Sequence, residues 1–170
     1  LPDCEEPVIT HRIWTQPPQI EERLAEVNEH IEKVIQMYLR NEYANIAEYN
    51  EQAGVIAEKS HFIVIAGFPS GFSETAAKRL LSIAASGARC GVHLLIQRDL
   101  RQPPVDRSLE EELRRSCLHI KLEKGVFRLG DDKVIFDPAP SDEDPNTLIH
   151  RIGQAGVDSN RVEVPFSQIA

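Results

Sequence analysis

The stretch from Lys59 to Pro104, KSHFIVIAGFPSGFSETAAKRLLSIAASGARCGVHLLIQRDLRQPP, constrains the fold more than any other part of the chain. It opens with a short apolar run, His61 to Ala66, rich in β-branched residues and closed by Gly67 and Pro69. Such a run reads as a buried strand rather than a helix. Ser73 then stands where a helix N-cap is expected, with Glu74 in the first turn, where an acid complements the helix dipole. Ala76, Ala77, Leu80, Leu81, Ile83 and Ala84 supply a helical apolar face, and Gly87 is the stop signal. A second apolar strand, Val92 to Gln97, follows. Strand, helix and strand in that order predict a βαβ unit with parallel strands.

The rest of the chain arranges itself around this unit. Residues 1–18 carry Pro2, Pro7, Pro17 and Pro18 and read as an extended lead-in, with Val8, Ile9, Ile13 and Trp14 apolar enough to dock as an edge strand. Residues 19–57 read as helical, with a bend near Arg40-Asn41. Within them Ile20, Leu24, Val27, Ile31, Val34 and Tyr38 recur at alternating spacings of four and three. That seam suits either an amphipathic helix packed on its own domain or a coiled coil continuing an upstream segment. Residues 58–170 form the α/β part. After a Pro103-Pro104 loop, Arg107 to Ser116 predicts a short charged helix. Leu118, Ile120 and Leu122 then alternate with polar residues, and Val126–Leu129 and Lys133–Phe136 complete a small meander. Asp144-Pro145 opens a helix expected to close at Gly153 and Gly156, and Arg161 to Phe166 is either a last strand or a tail.

Charge and cysteine usage narrow the function classes. The net charge of −8, from 27 acidic against 19 basic residues, argues against this chain as the main grip on nucleic acid. No apolar run approaches the roughly 20 residues of a transmembrane helix. Cys4, Cys90 and Cys117 are odd in number and widely spaced, forming neither a metal knuckle nor a disulfide framework, so a reducing cytoplasm is the expected location. A chain that opens on Leu1 without an initiator methionine and ends on Ile169-Ala170 reads as a piece of a longer protein.

Residues 60–104 resemble the FtsK/SpoIIIE family of RecA-like DNA-translocating ATPases. The residues that carry the resemblance are Phe62-Ile63-Val64-Ile65, Ser86-Gly87-Ala88-Arg89-Cys90-Gly91-Val92-His93-Leu94 and Gln97-Arg98. The family's strand ends in an acidic Walker B pair, one carboxylate holding Mg²⁺ and one polarising the attacking water. Here Ala66 and Gly67 stand at those positions, and neither can do that work. No G-x-x-x-x-G-K-[ST] loop occurs in the sequence, and Leu95-Ile96 replaces the polar residue expected before Gln97. The resemblance therefore implies an α/β fold with a parallel-sheet, RecA-like core, a long N-terminal helical arm and a small β-rich C-terminal part. It implies a degenerate, non-catalytic module serving assembly or regulation of an ATP-driven translocase. Its partners would be other modules of the same protein, or further copies in a ring. ATP and Mg²⁺ would be cofactors of the whole protein, with none held here. Two alternatives stand beside it: part of an active ATPase whose P-loop lies elsewhere, and a free-standing structural adaptor.

Other constellations give weaker signals. Arg89, Gln97, Arg98 and Arg101 lie around the second strand, whose carboxyl end is where α/β sheets bind ligands. The arginines are candidates for reaching a neighbouring module's nucleotide, the competing reading being ion pairs with Glu110–Glu112. Cys90 and His93, three apart on a strand, point to opposite faces and make a poor nucleophile–base pair. The loop Gly67 to Phe72 precedes a helix N-terminus but carries no lysine, and reads as a tight loop rather than a phosphate cradle. Asp131-Asp132, Asp137 and Ser141 to Asp144 lack the spacing of a calcium loop and read as solvated turns.

Overall fold

A computed structural model describes residues 13–40, 42–138 and 144–159. The chain divides into two units, Trp14–Val134 on one side and Leu1–Ile13 with Ile135–Ala170 on the other. Cys4, most of the lead-in, the Ser141–Glu143 acidic loop and the Arg161–Phe166 segment lie outside the described residues.

In the larger unit, helix α1 (Pro17–Val34) starts on two prolines at its first positions, where a missing N–H costs no helical bond. Gln16 caps it with its backbone only. Leu24, Ile31 and Val34 of the apolar seam are buried, and Ile20, Val27 and Tyr38 pack at its margin. A five-residue π turn, Ile35–Leu39, ends at Arg40 in a left-handed conformation (φ 43°), which makes the expected bend. Helix α2 (Ile46–Ala53) has a reciprocal cap. Asn45 Oδ1 accepts from Glu48 N–H at 3.1 Å, and Glu48 Oε2 accepts from Ala44 N–H at 2.6 Å.

Strands β1 (His61–Phe68) and β2 (Val92–Arg98) pair in parallel, from His61 opposite Val92 to Ile65 opposite Ile96. Helix α3 (Glu74–Ser86) joins them, capped by Ser73 Oγ, which accepts from Ala76 N–H at 3.1 Å. The Ser73 hydroxyl also bonds the Glu21 carboxylate on α1. Ala76, Leu80 and Ile83 of α3 meet the α1 seam to form the core, and Ile63, Ile65, Leu94 and Ile96 close it from one face of the sheet. At the margin Arg79 Nη1 donates to Glu21 O at 2.8 Å. The return into β2 turns on Gly87, whose carbonyl accepts from Cys90 N–H at 2.8 Å and Val92 N–H at 2.9 Å.

Helix α4 (Arg107–Arg115) is capped by Asp106 Oδ1, accepting from Leu109 N–H at 2.9 Å. Strands β3 (Ile120–Glu123), β4 (Val126–Leu129) and β5 (Asp132–Val134) form the antiparallel meander. Its first turn places both Lys124 (φ 50°) and Gly125 (φ 79°) at positive φ, the type I′ requirement. In the smaller unit, helix α5 (Pro145–Ser159) is capped by Asp144 Oδ2, accepting from Thr147 N–H at 3.3 Å. It runs through Gly153 and Gly156 instead of stopping there.

The expected RecA-like parallel core with a long N-terminal helical arm is not the fold observed. The described residues hold a two-stranded parallel sheet and a separate three-stranded antiparallel sheet. The physical reason lies in the strands that follow β2. They are short and alternating, and two-residue turns pair them with one another, so none joins β1 and β2. The helical segment is no arm either, because its apolar seam is buried against α3 rather than free to meet another chain.

Candidate functional site

The sequence points first to the carboxyl end of β1 and β2. There the ladder is interrupted between Ile65 and Phe68, and Gly67 sits at φ 72°. Gln97 Oε1 accepts from Gly67 N–H at 2.6 Å, so Gln97 fastens the irregular strand end. Ala66 and Gly67 offer no carboxylate. Arg98 reaches α4, with its Nε 3.0 Å from Glu110 Oε2, and its Nη2 donates to Gln102 O at 3.0 Å. Arg101 grips Asp99 with two bonds, at 2.8 and 2.9 Å. Those bonds hold the Asp99 carboxyl down at about 2. Arg89 lies in a 3₁₀ turn before Val92, the first residue of β2, whereas Arg98 is its last, roughly 20 Å along the strand from Val92 at ~3.3 Å per residue. The strand end thus gathers Gln97, Arg98 and Arg101, and leaves Arg89 apart.

Cys90 is buried in the core, and that burial pushes its thiol up, away from the reactive thiolate. His93 lies on the other face, stacked on Phe62 at 5.2 Å between ring centroids. In the 67–72 loop, Ser70 N–H bonds Gly67 O at 2.9 Å and Phe72 N–H bonds Pro69 O at 3.0 Å. Phe68 and Phe72 pack edge to face at 5.0 Å. Those two amides are engaged within the loop rather than turned toward an anion.

Beside β2 a cleft of about 590 Å³ is lined by Ile83, Val92, Leu94, Leu113 and Cys117, with Arg98 and Glu110 also in its wall. The sheet's other face carries more exposed apolar surface. Alternation puts Phe62, Val64 and Leu95 on the side away from the helices, and they are 67%, 74% and 53% exposed. Both outer edges of this sheet lack a strand partner among the described residues.

Sequence reasoning missed one cluster altogether. His30 of α1, Glu58 of the segment before β1 and His61 at the start of β1 bring one donor atom each to within 4.8 Å of one another. The imidazoles of His30 and His61 lie 4.6 Å apart between centroids. Burial and the neighbouring His30 together lower the His61 ring's affinity for a proton. Glu58 is held through its backbone: its N–H donates to Asn50 Oδ1 and its carbonyl accepts from Asn50 Nδ2, both at 2.8 Å. No spacing rule joins a helix, a loop and a strand start, so only the fold reveals the trio.

No family model, no curated protein and no solved structure matches the chain. Among the described residues, no helix is long and apolar enough to cross a membrane.

Proposed function

We propose that this chain is a non-catalytic α/β module that assembles into a larger protein by having its two-stranded parallel sheet completed by another module of that protein. The exposed row Phe62, Val64 and Leu95 carries the reading. Parallel sheets occur almost only with both faces covered, and a strand pair alone is marginal in water. The occupant that fits brings an apolar helix face to that row and a strand to a free edge. Burying the part of each of the three side chains that is still exposed contributes roughly 1–2 kcal/mol. A non-catalytic role is supported by Ala66 and Gly67 at the strand end and by the engagement of Arg98 with Glu110 and of Arg101 with Asp99. The resemblance over residues 60–104 supports placing the larger protein among cytoplasmic ATP-driven DNA translocases, with ATP and Mg²⁺ handled by its other modules.

The test is a photo-crosslinking residue at position 64 of the intact protein, with the products mapped by mass spectrometry. An intramolecular cross-link to another module is expected. Cross-links to a second copy instead would replace this occupant with a homo-oligomer. If Val64→Lys leaves cross-linking from position 95 and ATPase activity of the intact protein unchanged, the docking face is not used.

A further inference from the structure

The geometry points to a divalent transition-metal site formed by His30, Glu58 and His61, with zinc the ion its donors fit best. Two imidazoles and one carboxylate are a zinc donor set, and a fourth position stays open to water on the half-exposed side of His61. Imidazole nitrogen favours zinc, copper, iron and nickel over magnesium and calcium, which take oxygen ligands.

Three observations support an ion rather than a chance gathering of surface side chains. The first is His30 Nε2, which is buried and has no hydrogen-bond partner. Buried polar atoms left unsatisfied are uncommon, and a metal bond would satisfy this one. The second is spacing. A tetrahedral zinc with bonds of about 2.0–2.2 Å sets its donors roughly 3.3 Å apart. The donors already lie within 4.8 Å, and His61 Nε2 is 4.0 Å from Glu58 Oε1, so small side-chain rotations close the gap. The third is support from the backbone. Asn50 fixes Glu58 by two hydrogen bonds, and His61 N–H donates to Gly91 O at 2.8 Å. These bonds fix the backbone carrying Glu58 and His61, and Lys59 N–H donates to the Glu58 carboxylate at 3.0 Å, so two of the three ligands start from fixed anchor points. A bound ion would tie α1 to the first residue of β1, across the seam between the helical layer and the sheet. The site is independent of the exposed Phe62–Val64–Leu95 face, so either proposal can fail without the other.

The experiment uses the full chain stripped of metal by a chelator and titrated with Zn²⁺ by calorimetry. Ring resonances of His30 and His61 are followed by NMR in parallel. One Zn²⁺ per chain is expected, with the His30 and His61 rings moving together and the melting temperature rising with Zn²⁺ concentration. Glu58→Gln, which keeps size and backbone contacts, should weaken binding at least tenfold, and His61→Ala by more. The proposal is overturned if no Zn²⁺ binds, if Glu58→Gln binds as tightly as the parent, or if other histidines or the cysteines respond instead. Should His61→Ala fail to fold, Glu58→Gln and the NMR shifts decide the question.

Discussion

Alanine at Gly87 tests how α3 turns into β2. Gly87 has helical dihedrals (φ −62°, ψ −45°), so a side chain meets no conformational penalty there. The obstacle is steric. A Cβ would lie 2.6 Å from Ile83 O, 2.8 Å from Val92 O and 3.3 Å from Val92 Cβ. The first two are backbone atoms tied into the end of α3 and the start of β2, and no rotamer change relieves them. Forcing an extra methyl into a packed site costs about 1–3 kcal/mol. Replacing glycine returns about 0.4–1 kcal/mol by restricting the unfolded chain. With two backbone clashes the upper part of the first range applies, for a net loss of about 2 kcal/mol. Urea denaturation should show a lowered midpoint at unchanged m-value. Gly67→Ala is the matched control, since its Cβ meets nothing within 4 Å and its φ of +72° brings only left-handed strain, about 1–2 kcal/mol. Finding Gly87→Ala as stable as the parent, or stabilised, would refute the steric account of this turn.

Two further outcomes follow from polar contacts. Asp99 should titrate near 2 by carboxyl NMR, and Arg101→Ala should raise it toward the ordinary 3.8. Because the folded value is depressed, the stabilisation from this pair is present above 3.8 and fades as pH falls toward 2. An unmoved titration in Arg101→Ala would show that the fork is not its cause. Asn50→Ala removes both bonds to the Glu58 backbone and should cost about 1–3 kcal/mol in thermal unfolding. A melting temperature within error of the parent would mean that water replaces the clamp.

Local structure was legible from residue type and spacing. The Ser73 cap, the parallel pairing of β1 and β2 and the presence of a three-stranded meander all follow from neighbours in sequence, although its last strand is Asp132–Val134 rather than the expected Lys133–Phe136. The size of the sheet did not follow, because a strand–helix–strand unit looks the same inside a two-stranded sheet and a larger one. The α1 seam was equally ambiguous, since Leu24, Ile31 and Val34 have the spacing for a coiled coil and for packing on α3. Only the matching face of Ala76, Leu80 and Ile83 decides between them. At the strand end, the local residues did indicate that Ala66 and Gly67 bring no carboxylate. The His30–Glu58–His61 trio was invisible because its members are brought together by tertiary packing.

The pairing of α1 with α3 also sets a schedule for synthesis. The Arg79 side chain that bonds Glu21 stands 58 residues further along. At about 5–20 residues per second a ribosome needs roughly 3–12 s to cover that separation. Within that interval, once Val34 has been made, roughly 2–8 s pass before the first core partner on α3, Ala76, is added. The nascent chain therefore carries an uncovered apolar stripe for seconds, long compared with the roughly microsecond formation of a helix. That makes the first third of the chain, rather than the sheet, the segment on which a chaperone would act during translation.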